Sequence, residues 1–503
     1  MTDPRKSSTT RDHASKCPSE RWYCLSLVNK PKLLRSKLHS GVGGNEKFVA
    51  LIALLYGIGF SLPLAMPNSY FWDDWLNYFK KTAIEVRSSE GPFSGFSPLR
   101  LVAEGWLAEN WGFGFRILTF LLFPIAAWGL FQALRGSRYL NQSEILVLTA
   151  VFLLAPVNSA RYSMTIFMYT SCYASFFVGW WLFAQGKSRL IRLLALIFFL
   201  NSFDTASLLF FMSIPLLHSI LNQDLALSSI IRWVRRNWYF AVAPIGYWFI
   251  EPALNPTLDQ VREDYYTPKL SGIMRGLVLL VGISLAVAFF WAKRKWRYES
   301  DRGKIQLSLG VFVLWIGMFP YMTLGHFPNL ESILIGFVPG QSDWDSRHQL
   351  LMPLGLSFVV IGALNLTNSK RLLQAVVPIL LMFTVLNFTF SQEYYLDSIK
   401  THAIVEALEH ADEIGGYKFV LIDDQALRFN ARGRRIRSYE WDAMMFAAKG
   451  ASAPKTDVYR YVDCAAVRPE AIVTITASRG KLATLLTRDP VITVSTREIR
   501  LCN

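Results

Sequence analysis

The feature that most constrains this chain is a series of apolar blocks, each about as long as a bilayer is thick, separated by short basic segments. An α-helix needs roughly 20 apolar residues to cross the ~30 Å hydrocarbon core. Read at that width, the blocks fall near 48 to 67, 115 to 134, 144 to 157, 166 to 186, 190 to 201, 205 to 221, 238 to 251, 273 to 291, 305 to 325, 348 to 366 and 373 to 390. The stretch 190 to 221 reads as one long helix, two helices or a re-entrant pair. With 52% hydrophobic and only 18% charged residues, the expected class is a polytopic α-helical membrane protein of about 11 spans.

A net charge of +15 invites a nucleic-acid reading, but the positions of the cations argue against it. Arg135 and Arg138, then Lys187, Arg189 and Arg192, then Arg232, Arg235 and Arg236, then Lys293 to Lys304, then Lys370 and Arg371 occupy every second loop. Basic loops recurring on one side are a topology signal, and they place the N-terminus in the cytoplasm. The tail 1–47, with Lys30, Lys32, Arg35 and Lys37, agrees and is too polar before the first span to read as a signal peptide. An odd number of spans then puts 391–503 outside, after a transmembrane region 48–390.

That assignment gathers the unusual polar residues on the outer face. The first external loop, 68–114, opens with Phe71-Trp72-Asp73-Asp74-Trp75 and continues with aromatic and aliphatic residues among charges, the composition of helices lying in the membrane interface. Further outer-face groups are Arg161, Asn201 and Asp204, Tyr265 and Tyr266 in a long loop, and Trp344-Asp345-Ser346-Arg347-His348. Carboxylates beside a span are costly unless used. The acidic pair reads either as a catalytic group or as the N-terminal cap of an interfacial helix, and the two are compatible. The segment around Arg347 reads equally as a phosphate-binding edge or as an aromatic anchor with a local ion pair. Asp343 and Asp345 could join Asp73 or Asp74 around Mg²⁺ or Mn²⁺, since oxygen-rich sites suit those ions.

An acidic pair just after the first span, interfacial helices in the same loop, about eleven spans and an external C-terminal domain together resemble the GT-C class of integral-membrane glycosyltransferases. The residues carrying the resemblance are Phe71-Trp72-Asp73-Asp74-Trp75 and, more loosely, Asp345-Ser346-Arg347-His348. The resemblance implies a polyprenyl-phosphate-linked sugar as donor and a cell-envelope glycan or glycolipid as acceptor, such as O-antigen or lipid A of lipopolysaccharide, or cell-wall arabinan. It implies a bacterial cytoplasmic membrane and a catalytic base at Asp74 with Asp73 as its partner. The chemistry also asks for cations at the leaving phosphate, for which Arg347, His348 and Arg161 are candidates, with Asp345, Tyr265 and Tyr266 near the donor or acceptor. Alternatives are a lipid-linked glycan polymerase or ligase and a lipid or sugar transporter (flippase).

Beyond residue 391 the apolar blocks end and charges of both signs appear. Ser398 to Ile414 reads as helix, Tyr417 to Ile422 as a buried strand ending at Asp423-Asp424, Ala471 to Thr476 and Val491 to Leu501 as strands, and Arg479 to Thr487 as helix, which makes a small α/β domain. Cys464 and Cys502 both fall there, on the oxidising side, and a disulfide between them is expected. Cys17 and Cys24 lie in the cytoplasmic tail and Cys172 within a span.

Overall fold

The structure is a computed structural model that describes residues 30–66, 69–72, 74–75, 111–163, 166–186, 188–203, 205–222, 227–254, 269–292, 298–325, 349–366, 371–458 and 470–498. The chain divides into two units, Met1–Ala53 and Leu54–Asn503. The second carries the site.

The helices are α1 (Lys30–Phe60), α2 (Trp111–Leu134), α3 (Gln142–Leu154), α4 (Phe167–Gln185), α5 (Arg189–Ser202), the short α6 (Ala206–Phe211) and α7 (Ser213–Leu221), α8 (Leu227–Leu254), α9 (Leu270–Ala292), α10 (Tyr298–Thr323), α11 (Met352–Leu366), α12 (Leu372–Ala375) and α13 (Val377–Glu409). Among the described residues each expected apolar block overlaps helix. The ambiguous stretch 190 to 221 resolves into α5, then α6 and α7 separated by a break at Met212. Three helical stretches among the described residues, Gly114–Leu134, Arg302–Thr323 and Leu372–Glu409, are long and apolar enough to cross a membrane. Shorter apolar helices include Gln142–Leu154, Ser207–Leu221, Leu270–Gly282 and Met352–Leu366. Large apolar side chains such as Ile245, Trp248, Phe249, Val278, Val281 and Val385 stand on the outside of their helices. Such faces cost free energy in water and suit acyl chains.

Packing follows helix direction. Phe115 meets Phe167 and Trp128 meets Trp181, so α2 and α4 run parallel. Phe183 packs on Phe199 while Asn201 donates to the Ser175 hydroxyl, so α5 returns antiparallel to α4. The tightest pair is α10 with α11, along a seam of glycines seven residues apart: Gly303, Gly310 and Gly317 on one helix, Gly355 and Gly362 on the other. A Cβ placed at Gly310 would lie 2.6 Å from the Val359 amide nitrogen, and one at Gly355 2.5 Å from that of Leu314. Only glycine permits this backbone approach, the same device that joins helices in hydrocarbon.

At the other end of these helices, Glu144 caps α3 in a box with Asn141. Its carboxylate also accepts from Arg302 at 2.5 Å, Gln306 at 3.1 Å and Asn365 at 2.8 Å, tying α3, α10 and α11 into one polar knot.

Helix α13 has 33 residues and is therefore about 50 Å long, well over the hydrocarbon thickness. Its distal half carries a four-stranded sheet of order β2-β1-β3-β4, with β1 (Phe419–Asp424), β2 (Lys455–Val458), β3 (Ala471–Ala477) and β4 (Ile492–Glu498). β1 pairs parallel with β2 and β3, and β4 runs antiparallel on the edge. Between β1 and β2 the chain forms α14 (Ser438–Lys449), and before β4 it forms α15 (Lys481–Thr487). Ile404 and Leu408 of α13, Trp441 and Met444 of α14 and Val420, Val473 and Ile475 of the sheet share one core with Trp75. The sheet and its helices are thus bonded to the segment that follows the first helix.

The expected Cys464–Cys502 disulfide lies outside the described residues, where Cys17 and Cys24 also fall. Cys172 is free and buried.

Candidate active site at the helix ends

The segment Ser69–Trp75 meets the start of α2 and the middle of α13, and α13 in turn holds the C-terminal ends of α1 and α3. Ser391 of α13 donates to the Gly59 carbonyl of α1 at 2.7 Å, and Asn387 to the Leu154 carbonyl of α3 at 2.7 Å. Tyr162 shares a 2.8 Å hydrogen bond with Ser391, and Ser69 pairs with Ser398 through their hydroxyls.

Asp74 lies at the helical end of this segment, Asp74–Trp75. Its Oδ2 accepts the Phe71 N–H at 3.0 Å and its Oδ1 the Ser163 hydroxyl at 2.6 Å, while its own N–H bonds the Phe71 carbonyl at 3.1 Å. This is a carboxylate satisfying an orphan donor at a helix start, in a side chain only 1% exposed. The interfacial helix that the acidic pair is expected to cap lies outside the described residues; within them the Asp74 carboxylate closes its own turn. Around it Phe71 and Trp72 pack edge-on against Tyr394, at 5.1 and 5.5 Å between ring centres. Trp72 has a left-handed backbone, φ 50°, which costs about 1–2 kcal/mol in a residue with a Cβ. Its N–H is held by Glu440 Oε2 of α14 at 3.2 Å.

Glu440 belongs to a buried ionic cluster. Arg434 donates through Nη1 to Glu440 at 2.6 Å and through Nε to Asp397 of α13 at 2.7 Å, with its guanidinium 5.4 Å from the centre of the Trp72 ring. Burial opposes the Arg434 charge, but the two carboxylates outweigh it and hold the guanidinium pKa above its usual range. Lys400 is held nearby by Asp424 at 2.5 Å and Asn430 at 2.6 Å. Asp424 ends β1 as this lysine's partner.

Two arginines complete the region. Arg116, near the start of α2, donates through Nη1 to the Tyr162 carbonyl at 2.7 Å and through Nη2 to the Ser69 carbonyl at 2.6 Å. Arg161 lies between the Phe60 and Phe123 rings, 4.1 and 4.3 Å from their centres, and donates through Nε to the Asn158 carbonyl at 2.8 Å. Both are buried, and neither forms an ion pair among the described residues. Arg161 Nη1, Arg116 Nε and both amide atoms of Asn158 have no hydrogen-bond partner among the described residues. Burial without a counterion pushes the Arg161 pKa down. The two guanidiniums line a cavity of about 30 Å³ together with Tyr56, Thr119, Tyr162 and Ser163. That volume is about one water's share of the liquid. A desolvated cation normally demands a partner, and Arg161 Nη1 is buried with none among the described residues.

Of the residues singled out in the sequence, Asp74 and Arg161 are described: Asp74 is held by Ser163, and Arg161 lies between the Phe60 and Phe123 rings. Asp73, Tyr265, Tyr266, Asp345, Arg347 and His348 lie outside the described residues, as does Asp343. Among the described residues no group of three or more His, Cys, Asp or Glu side chains is placed to hold a metal ion. Arg116, Arg434, Asp397 and Glu440 were not anticipated. Arg116 sits six residues after Asn110 in an otherwise apolar helix, and a lone cation at such a position was the available signal.

Comparison with family models, with curated proteins and with solved structures returned no match for this chain.

Proposed function

We propose that the chain is a multi-span membrane glycosyltransferase of the GT-C type, with about 11 spans and a cytoplasmic N-terminus. It transfers a glycosyl residue from a polyprenyl-phosphate-linked sugar to an envelope glycan or glycolipid on the outer face of a bacterial cytoplasmic membrane. The observation that carries this reading is the buried Arg161, whose Nη1 has no hydrogen-bond partner among the described residues, two residues from the serine that holds Asp74. On this reading the cation takes the lipid phosphate, and the carboxylate-bearing turn stands on the acceptor side.

In this reaction a base takes the proton of the acceptor hydroxyl, the acceptor oxygen attacks the anomeric carbon, and the bond from that carbon to the phosphate oxygen breaks. The electron pair leaves with the lipid phosphate, whose charge Arg161 and Arg116 stabilise. Both carboxylate oxygens of Asp74 are engaged and the group is buried, so we assign it to positioning the turn and assign the base to its neighbour Asp73. The small cavity accepts a phosphate oxygen; the sugar and lipid occupy the space outside it.

The test uses the full chain in nanodiscs. Polyprenyl phosphate, the part shared by all such donors, should be retained in native mass spectrometry by the wild type and lost in Arg161→Gln. Asp73→Asn should retain the lipid but abolish transfer from radiolabelled polyprenyl-phosphate sugars. Undiminished lipid retention by Arg161→Gln, or full transfer by a folded Asp73→Asn, would overturn the reading.

A further inference from the structure

Helix α15 presents an apolar face that nothing in the fold covers. Leu482 and Leu486, one turn apart, are 72% and 79% exposed, whereas Thr484 on another face is fully buried and Leu485 packs toward Leu396 and Phe429. The face is bordered by exposed Lys481 and Arg488. Arg479, which bonds Asp489 at 2.9 Å, precedes the helix, and the neighbouring turn contributes Leu427, 45% exposed. Arg428 of that turn donates to the Ala477 and Arg479 carbonyls, at 2.6 and 2.9 Å, which fixes the turn against the entrance to α15. Counting Arg479, Lys481, Arg488 and Asp489, the patch carries a net positive charge.

Where the patch sits along α13 decides what covers it. The apolar run of α13 ends near Phe390. The Arg432 guanidinium already lies 4.3 Å from the centre of the Phe390 ring, and Glu393 accepts the Arg432 N–H at 3.0 Å. Leu396, against which Leu485 packs, is six residues further on, about 9 Å along the helix axis. With α13 crossing the bilayer, that height falls just outside the headgroup layer, which is ~5–7.5 Å deep on each side, within side-chain reach of it. Leucines on one face with Lys and Arg at its border are the composition of a segment lying in the interface of an anionic membrane.

We propose that α15 is a membrane-interface foot. Leu482 and Leu486 insert at the boundary of headgroups and acyl chains, Lys481 and Arg488 bind anionic phospholipid headgroups, and the sheet is thereby steadied over the site that it clamps through Arg434 and Glu440. The inference rests on α13 spanning the membrane and is independent of glycosyl transfer.

The test places an environment-sensitive fluorescent amino acid at position 385, 486 or 409 of the full chain, one at a time, in nanodiscs holding a single copy. Lipids brominated at defined depths serve as quenchers. Val385 is 63% exposed on the apolar run and should be quenched by deeply brominated lipid. Position 486 should be quenched by shallow-brominated lipid, and position 409, at the far end of α13, by neither. Lys481→Gln with Arg488→Gln should weaken the shallow quenching in anionic nanodiscs and leave it unchanged in zwitterionic ones. Quenching at 385 with none at 486 overturns the foot alone. No quenching at 385 overturns the spanning of α13 and the foot with it. Protection of 486 that arises only in discs loaded with two copies makes a second chain the occupant and equally overturns the proposal.

Discussion

Arg434 and Asp397 form a two-pronged ion pair sealed from solvent, with Nε to Oδ2 at 2.7 Å and Nη2 to Oδ1 at 3.3 Å. The pair links the long helix α13 to the turn before α14. Because Arg434 also holds Glu440, and Glu440 holds the Trp72 N–H, the strained backbone of the Phe71–Trp75 segment is fixed by groups more than three hundred residues away in sequence. The turn at Phe71–Trp72 and the sheet are one mechanical unit.

Removal of the cation leaves two buried carboxylates without the guanidinium they share, held only by backbone N–H groups. Arg434→Met is therefore expected to destabilise by about 3–5 kcal/mol, because breaking a buried pair costs far more than the pair contributes against an apolar replacement. Thermal unfolding in nanodiscs checks the magnitude. A triple replacement of Arg434, Asp397 and Glu440 by apolar residues of similar volume should recover most of the loss. If the single variant unfolds within 1 kcal/mol of wild type, by the same reasoning the cluster is not desolvated as described.

Ser163 makes a narrower prediction. Its hydroxyl donates 2.6 Å to the buried Asp74 carboxylate, and hydrogen bonds to a charged group contribute roughly 1.5–3 kcal/mol. Ser163→Ala should lose about that amount and raise the proteolytic sensitivity of the segment after Trp75, whereas Ser163→Thr, which keeps the hydroxyl, should lose less. Chemical denaturation and limited proteolysis on the two variants separate the hydrogen bond from the local packing.

The parts of this architecture that were legible in the sequence are those governed by local pattern. Apolar length marked the helices, and the run Tyr417 to Ile422, the alternation in Ala471 to Thr476 and the segment from Val491 marked β1, β3 and β4. Two elements of the sheet region were missed. β2 is only four residues long and partly polar, and α14 reads as a mixed surface segment until Trp441 and Met444 are seen inside the core. Asp74 could be read as a cap because capping is a three-residue relationship. The Arg434 cluster could not be read, because its members stand at 397, 434 and 440 and only the docking of the sheet on α13 brings them within bonding distance.

The aromatic packing around the motif gives a third prediction. Phe71 is fully buried and meets Tyr394 edge-on, with Arg116 and Arg434 at 5.6 and 5.9 Å from its ring centre. Phe71→Ala is expected to cost about 3–5 kcal/mol from lost burial and the cavity left behind. Phe71→Leu, which refills most of the volume without the ring face, should cost less, and the difference reports the edge-on and cation contacts. Both values are read from denaturant midpoints of the purified chain.

The glycine seam between α10 and α11 predicts opposite signs for one kind of substitution. A methyl group at Gly310 would sit 2.6 Å from a backbone nitrogen of α11 and 2.8 Å from the Val359 side chain, so Gly310→Ala must push the helices apart. Overpacking of this kind costs about 1–3 kcal/mol. At Gly57 of α1 a Cβ meets nothing within 4 Å, and there the same change should stabilise by roughly 0.5–1 kcal/mol, since alanine loses less backbone entropy in a helix. Thermal midpoints of the two variants in the same lipid provide the comparison. Equal, small effects at both positions would mean that α10 and α11 are not in backbone contact. A fall at Gly310 with a rise at Gly57 would establish that glycine at the seam is required by close approach rather than by helix flexibility.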